Sequence, residues 1–166
     1  MFISKRFFTT VALIASLFVY AVSHFTPNKT AKIQSVAENL VLVKRVIDGD
    51  TIVLYNDERV RYIGINTPEI ARRGKKAEYY GKEATDFNKG LVLGKQVKLE
   101  FDREHFDRYG RTLAYVYLED GVFVNAELVK QGYARTMSIK PNTRYAELFR
   151  QLQEEAKTKR LGVWKK

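Results

Sequence analysis

The chain has 166 residues, 45% of them hydrophobic, with no cysteine and two histidines. That composition excludes wholesale disorder, a disulfide framework, a thiolate nucleophile and any metal site built on several imidazoles; a metal here has to be held by oxygens, which favours calcium or magnesium over zinc. A formal net charge of +10 suits a polyanionic partner without being specific for one.

Lys5-Arg6 precede an apolar run without charge, FFTTVALIASLFVYAV, at 7–22. A positive segment ahead of such a run is the pattern of a secretory signal, with Ala21-Val22-Ser23 as a small-x-small cleavage site. The run is also close to the ~20 residues that span a bilayer, so an uncleaved signal anchor competes evenly. Residues 1–23 are read as signal peptide or signal anchor, 24–40 as a linker and 41–166 as the folded domain. Either way the domain is exported, secreted or held in the cell envelope by residues 7–23.

From residue 41, Val41–Ile47 and Thr51–Tyr55 are short β-rich runs flanking Asp48-Gly49-Asp50, a turn signal between strands. Asp57-Glu58 marks the next turn, before a third strand over Arg59–Ile65 with Val60, Tyr62 and Gly64 alternating. These three form a meander that Asn66-Thr67-Pro68 ends, because proline cannot continue a central ladder. Ala84, Phe87 and Leu91 recur at helical spacing and predict a helix from about Tyr80 to Leu93, stopped by Gly94. Gln96–Phe101 and Arg111–Leu118 read as two more strands around the charged loop Asp102–Gly110. Val124, Leu128 and Val129 give a short helix ended by Gly132. Asn142-Thr143 offers an N-cap for a last helix, with Leu148, Leu152 and Ala156 on one face, and Trp164 reads as packing. The order predicts an α+β, mainly β, fold: a five-stranded Greek-key barrel of the OB type with three helices.

The chemistry-bearing residues cluster in Lys44–Glu69. Asp48, Asp50, Arg61, Asn66, Thr67 and Glu69 fall at turns and strand ends, and Arg111 follows in Asp107-Arg108-Tyr109-Gly110-Arg111. Oxygen donors for a hard cation, a carboxylate base and two planar guanidinium forks are the parts needed to cut a phosphodiester. Taken singly, each has a plainer reading. Asp48 and Asp50 are common turn residues, Glu69 could be a loop carboxylate, and either arginine a surface ion pair. Arg72, Arg73, Lys75 and Lys76 read as a loop gathering a substrate backbone or as a bare solvated loop, and His105 as exposed.

VIDGDTIVL, VRYIGINTPE, YGKEA, DRYGRTLAYVY and VNAELVKQGYA, in this order and at similar spacing, resemble the staphylococcal (thermonuclease-type) nuclease family over about Val41 to Lys166. The resemblance implies a five-stranded OB barrel with three helices. It also implies a monomeric, calcium-dependent hydrolase of DNA and RNA that prefers single strands and leaves 3′-phosphates. Carried over by position, one Ca2+ would be held by Asp50, Asn66 and the Thr67 carbonyl, with Asp48 close behind. Glu69 would be the general base, Arg61 and Arg111 the catalytic arginines. Tyr109, Arg108, Lys75 and Lys76 would bind substrate. Two departures stand out. Asn66 occupies the place of the family's second metal aspartate, which implies weaker or less selective calcium binding. Arg135-Thr136-Met137-Ser138-Ile139 ahead of Lys140-Pro141-Asn142 holds no aromatic where the family has a pair of tyrosines, which leaves base stacking and the end-phosphate preference open. The competing expectations are a non-catalytic OB module that binds nucleic acid and a membrane-tethered interaction domain.

Overall fold

A computed structural model of the chain describes residues 40–71, 74 and 76–165. The expected signal or anchor segment and most of the linker lie outside the described residues, as do Arg72, Arg73 and Lys75. Among the described residues, no helix is long and apolar enough to cross a membrane.

The elements run β1 (Leu40–Asp48), β2 (Thr51–Leu54), β3 (Arg59–Tyr62), β4 (Ile65–Asn66), α1 (Gly81–Val92), β5 (Gln96–Glu100), β6 (Thr112–Leu118), α2 (Val124–Lys130), β7 (Arg135–Thr136) and α3 (Ala146–Thr158), followed by a 3-10 turn at Gly162–Trp164. Five of the strands close a barrel in the order β1-β2-β3-β6-β5, the OB arrangement expected from the strand count. One long strand serves two neighbours: β1 pairs with β5 through Leu40–Leu42 and with β2 through Val43–Asp48, with register irregularities between Val43 and Arg45 and between Val46 and Asp48. Such bulges bend a strand and increase its twist, which lets a small sheet turn a corner. The barrel closes by a parallel pairing of β3 with β6, in the register Val60–Thr112, Arg61–Leu113 and Tyr62–Ala114. Val43, Ile52, Val60, Tyr62, Val97 and Val116 fill the interior.

Three expectations are corrected. The third strand does not run to Ile65. It ends at Tyr62, and Ile63-Gly64 turns the chain so that Ile65 and Asn66 pair instead with Thr136 and Arg135 of β7. Gly64 has φ +80, and the ring of Phe149 lies 2.6 Å from where a Cβ would be. Both the backbone and the close approach call for glycine there. Secondly, α3 buries Phe149 and Ala156 and half-buries Leu152, while Leu148 is 38% exposed; the wide aromatic, not Leu148, sets the face that packs. Thirdly, Asn142 does not cap α3. Its Nδ2 donates to the Glu104 carbonyl and its Oδ1 accepts from the Glu104 N–H, both at 2.8 Å. This buried amide thereby completes the hydrogen bonding of a loop that has no ladder partner there. α3 starts after Tyr145 without a side-chain cap.

Candidate active site

The Asp48-Gly49-Asp50 turn between β1 and β2 is built by its own side chains. Asp48 Oδ1 accepts the Asp50 N–H at 3.2 Å, an Asx-type turn. A Cβ on Gly49 would meet Thr67 Oγ1 at 2.6 Å, so only glycine lets this turn lie on Thr67. From α1, Asn88 Nδ2 donates to the Asp48 carbonyl at 3.1 Å while its Oδ1 accepts the Tyr62 hydroxyl at 3.0 Å. The turn is thus tied to both the helix and β3.

Asp50 is 5% exposed, and four donors converge on its carboxylate. Thr67 gives its N–H at 2.8 Å and its hydroxyl at 3.1 Å, Thr51 its hydroxyl at 3.1 Å, and Arg61 its Nε at 3.1 Å. Burial pushes the Asp50 carboxyl up to about 6; the Arg61 guanidinium works against that, and the nearby Asp48 carboxylate adds to it. A buried carboxylate held at this tension favours any arriving cation. Arg61, 7% exposed, spends three of its five N–H groups on Asp50, the Tyr62 carbonyl and Asn66 Oδ1, the last at 3.0 Å. Asn66 turns its Nδ2 toward the Thr67 carbonyl at 3.4 Å. Asp50, Asn66 and Thr67 therefore adjoin one another and offer a carboxylate, an amide and a peptide carbonyl. An all-oxygen donor set fits a hard divalent cation, with one adjustment: Asn66 has to give up Arg61 before its own oxygen can serve. Among the described residues no three His, Asp or Glu side chains gather into a metal-holding group; a cation at Asp50, Asn66 and Thr67 would meet one carboxylate and two uncharged oxygens.

Glu69 follows Pro68 out of the small β4–β7 sheet. Its backbone is clasped from both sides: its N–H donates to Glu78 Oε2 at 3.1 Å, and its carbonyl accepts the Glu78 N–H at 2.9 Å. A Cβ on Gly81 would come within 2.4 Å of the same carbonyl oxygen. The Glu69 side chain is left exposed and makes no hydrogen bond among the described residues.

Arg111 is presented by a hairpin. Asp107 accepts the Arg111 Nε at 2.7 Å on one oxygen and the N–H groups of Tyr109 and Arg111 at 2.9 and 3.0 Å on the other. The Asp107 N–H donates to the Arg111 carbonyl at 3.0 Å. Among the described residues only Nε of Arg111 is engaged, and neither terminal nitrogen has a partner. The guanidiniums of Arg108 and Arg111 lie 4.8 and 5.6 Å from the Tyr109 ring centroid.

Arg61, Asn66, Glu69, Arg108, Tyr109 and Arg111 line one cleft of about 570 Å³. Residues up to fifty positions apart in sequence are brought together because β3 and β6 are neighbours. Asp48, Asp50 and Thr67 are buried behind Arg61 and Asn66, outside the cleft wall. Lys76 is exposed and does not line the cleft. The fixing roles of Glu78, Gly81, Asn88 and Asp107 toward backbone were not all visible in sequence. Asp107 acts within its own turn, four positions from Arg111; Glu78, Gly81 and Asn88 act across gaps that carry no local signal.

A family model described as staphylococcal nuclease homologue matches residues 59–166. The stretch matched includes Arg61, Glu69 and Arg111. The chain belongs to the staphylococcal nuclease family. Within that family it is 48% identical to the thermonuclease of Staphylococcus intermedius over 128 residues, covering 75% of this chain and 76% of that one. It is 38% identical to the thermonuclease of Staphylococcus hyicus over 160 residues, covering 93% and 94%. It is also similar to endonuclease YncB of Bacillus subtilis, at 44% identity over 131 residues, 76% of this chain and 62% of that one.

Proposed function

We propose that this member of the nuclease family hydrolyses phosphodiester bonds of DNA and RNA, preferring single strands, with one calcium ion as cofactor. The observation that carries the reading is the meeting of Arg61, Glu69 and Arg111 in one cleft, immediately in front of the buried Asp50. Asp50, Asn66 and the Thr67 carbonyl would hold the ion, which when bound neutralises charge on the phosphate and activates water.

The residues divide the remaining work. The open terminal nitrogens of Arg111 and the two unused N–H groups of Arg61 grip phosphate oxygens. Negative charge grows on those oxygens as the nucleophile approaches, so fixed guanidiniums stabilise the transition state more than the ground state. Glu69 takes the proton from the attacking water. The new bond forms between that water oxygen and phosphorus while the bond to the 5′ oxygen breaks; that oxygen leaves as a 5′-hydroxyl with a proton from solvent, and a 3′-phosphate remains. The N-terminal apolar run supports export of the enzyme, by a cleaved signal or an uncleaved anchor; fractionation with N-terminal sequencing decides between release after Ser23 and tethering.

The experiment is release of acid-soluble nucleotides from single-stranded DNA by the full chain, with calcium and then with excess chelator. Glu69→Ser and Arg111→Ala are each expected to lower kcat at least ~100-fold with the fold intact by circular dichroism. Turnover near that of the parent in either variant removes that residue from the chemistry. Salt-sensitive binding without cleavage under any divalent ion replaces the enzyme by a nucleic-acid-binding module.

A further inference from the structure

The cleft carries an apolar surface that the phosphate chemistry does not use. Phe106 immediately precedes Asp107, the residue that holds Arg111, and its side chain lines the same cleft as both arginines and Glu69. It is 65% exposed. A single exposed phenylalanine is ordinary on a protein surface, but the backbone that carries this one is held in place. Phe106 forms a β-bridge with Thr112, the His105 carbonyl accepts the Leu113 N–H at 2.8 Å, and the Asp107 N–H donates to Arg111. The flanking Thr112 is itself buried. The ring thus stands on the rigid stem of the hairpin that presents the arginine.

Its face is also open. The other exposed aromatic of the cleft, Tyr109, already has the guanidiniums of Arg108 and Arg111 over its ring. Among the described residues, no aromatic ring and no cation packs on Phe106. Ile139 and Met137, 62% and 37% exposed, line the cleft as well and add apolar surface without a ring. An exposed apolar patch that continues a charged, phosphate-gripping cleft matches a nucleotide: a flat apolar base linked to an anionic backbone.

We propose that Phe106 is the stacking platform for a nucleobase flanking the scissile phosphate, with Ile139 and Met137 completing that subsite. The proposal rests on the reading of the cleft as a phosphodiesterase site and adds a base-binding surface to it. Stacking is tolerant of base identity because every base has a π-face, so the subsite selects for unstacked, single-stranded substrate and not for a sequence. Because ring and arginine share one hairpin stem, a stacked base sets the register of the backbone against Arg111.

The test compares binding of two labelled single-stranded probes by the full chain, with divalent ions chelated so that nothing is cut. One is a short deoxythymidine oligonucleotide; the other is the same backbone without bases. Fluorescence anisotropy reads both affinities for the parent, Phe106→Ala and Phe106→Trp, with nucleotide release under calcium measured separately. The parent is expected to bind the base-bearing probe at least about five-fold more tightly, Phe106→Ala to lose that margin and Phe106→Trp to keep it. Equal binding of the two probes by the parent, no binding of either, or an undiminished margin in Phe106→Ala overturns the platform. A margin that depends on residue 106 in a chain that never cuts leaves the platform standing and removes the nuclease reading.

Discussion

Asn66 is the residue at which this chain departs most from its resemblance, and the structure gives the departure a physical form. An amide has a donor end and an acceptor end, and here the acceptor faces Arg61 while the donor faces the Thr67 carbonyl. A carboxylate in the same place would offer oxygens in both directions and one more negative charge beside Asp50. Asn66→Asp is therefore expected to tighten calcium binding by about ten-fold, since ligand charge tunes affinity in oxygen sites. Isothermal titration calorimetry with calcium alone reads this without any turnover, and unchanged affinity would show that residue 66 is not a ligand. Gly81 makes a second prediction of the same kind. A methyl group there collides with the Glu69 carbonyl, so Gly81→Ala should displace the proposed base by a fraction of an ångström. The expected outcome is a fall in kcat of roughly ten-fold with KM nearly unchanged, since small misplacements weaken catalysis far more than binding. A parallel rise in KM, in steady-state kinetics, would instead mean that the cleft as a whole had deformed. The sequence showed both residues plainly, Asn66 as an exception and Gly81 inside YGKEA. It could not show what stood 2.4 Å from the glycine, because that neighbour arrives through tertiary packing.

The hairpin from Asp107 to Arg111 is the element on which the proposed chemistry turns. Burial raises the energy of the Asp107 charge, but the N–H groups of Arg111 and Tyr109 and the Arg111 guanidinium outweigh it and hold this carboxyl below its ordinary 3.8. A carboxyl with a depressed folded pKa adds stability that is fully present above the unfolded value and disappears as pH falls through the folded one. Asp107→Asn should thus lower Tm near neutral pH, and the gap from the parent should close as the pH drops below the usual carboxylate range. A gap that stays constant through acid would assign the loss to packing and not to charge. Elsewhere, legibility followed length. The strands β1, β2 and β6 have enough residues to show a β pattern, and α1 shows its helical period through Ala84, Phe87 and Leu91. β4 and β7 are two residues each, too short to carry any period, so their pairing and the break at Gly64 were hidden. Asn142 looked like a cap because Asn-Thr before a helix has that local chemistry, yet a loop thirty-eight positions earlier in sequence competes for it and prevails.

At the scale of the whole molecule, the charge of +10 predicts a substrate interaction that weakens with salt. Each phosphate neutralised on a single strand contributes about 0.7 to the slope of log KM against log salt concentration, so a rise of several-fold per doubling of salt is expected. A flat profile would confine recognition to the cleft and leave the basic excess without a role in binding. The barrel topology was the most legible feature of all, because strand count, turn spacing and helix placement point to it together. Its closing seam was not, since parallel contact between β3 and β6 joins segments with nothing in common locally. That seam has a kinetic consequence. Arg61 stands opposite Leu113 across it, two positions beyond Arg111, so the two guanidiniums come together only when β3 and β6 pair. Contacts between such distant segments form late in folding because the intervening chain must first be ordered. A chain in which β3 and β6 have not yet paired holds every side chain of the proposed site and is expected to hydrolyse nothing. During refolding, the return of turnover becomes a clock for the moment the seam shuts.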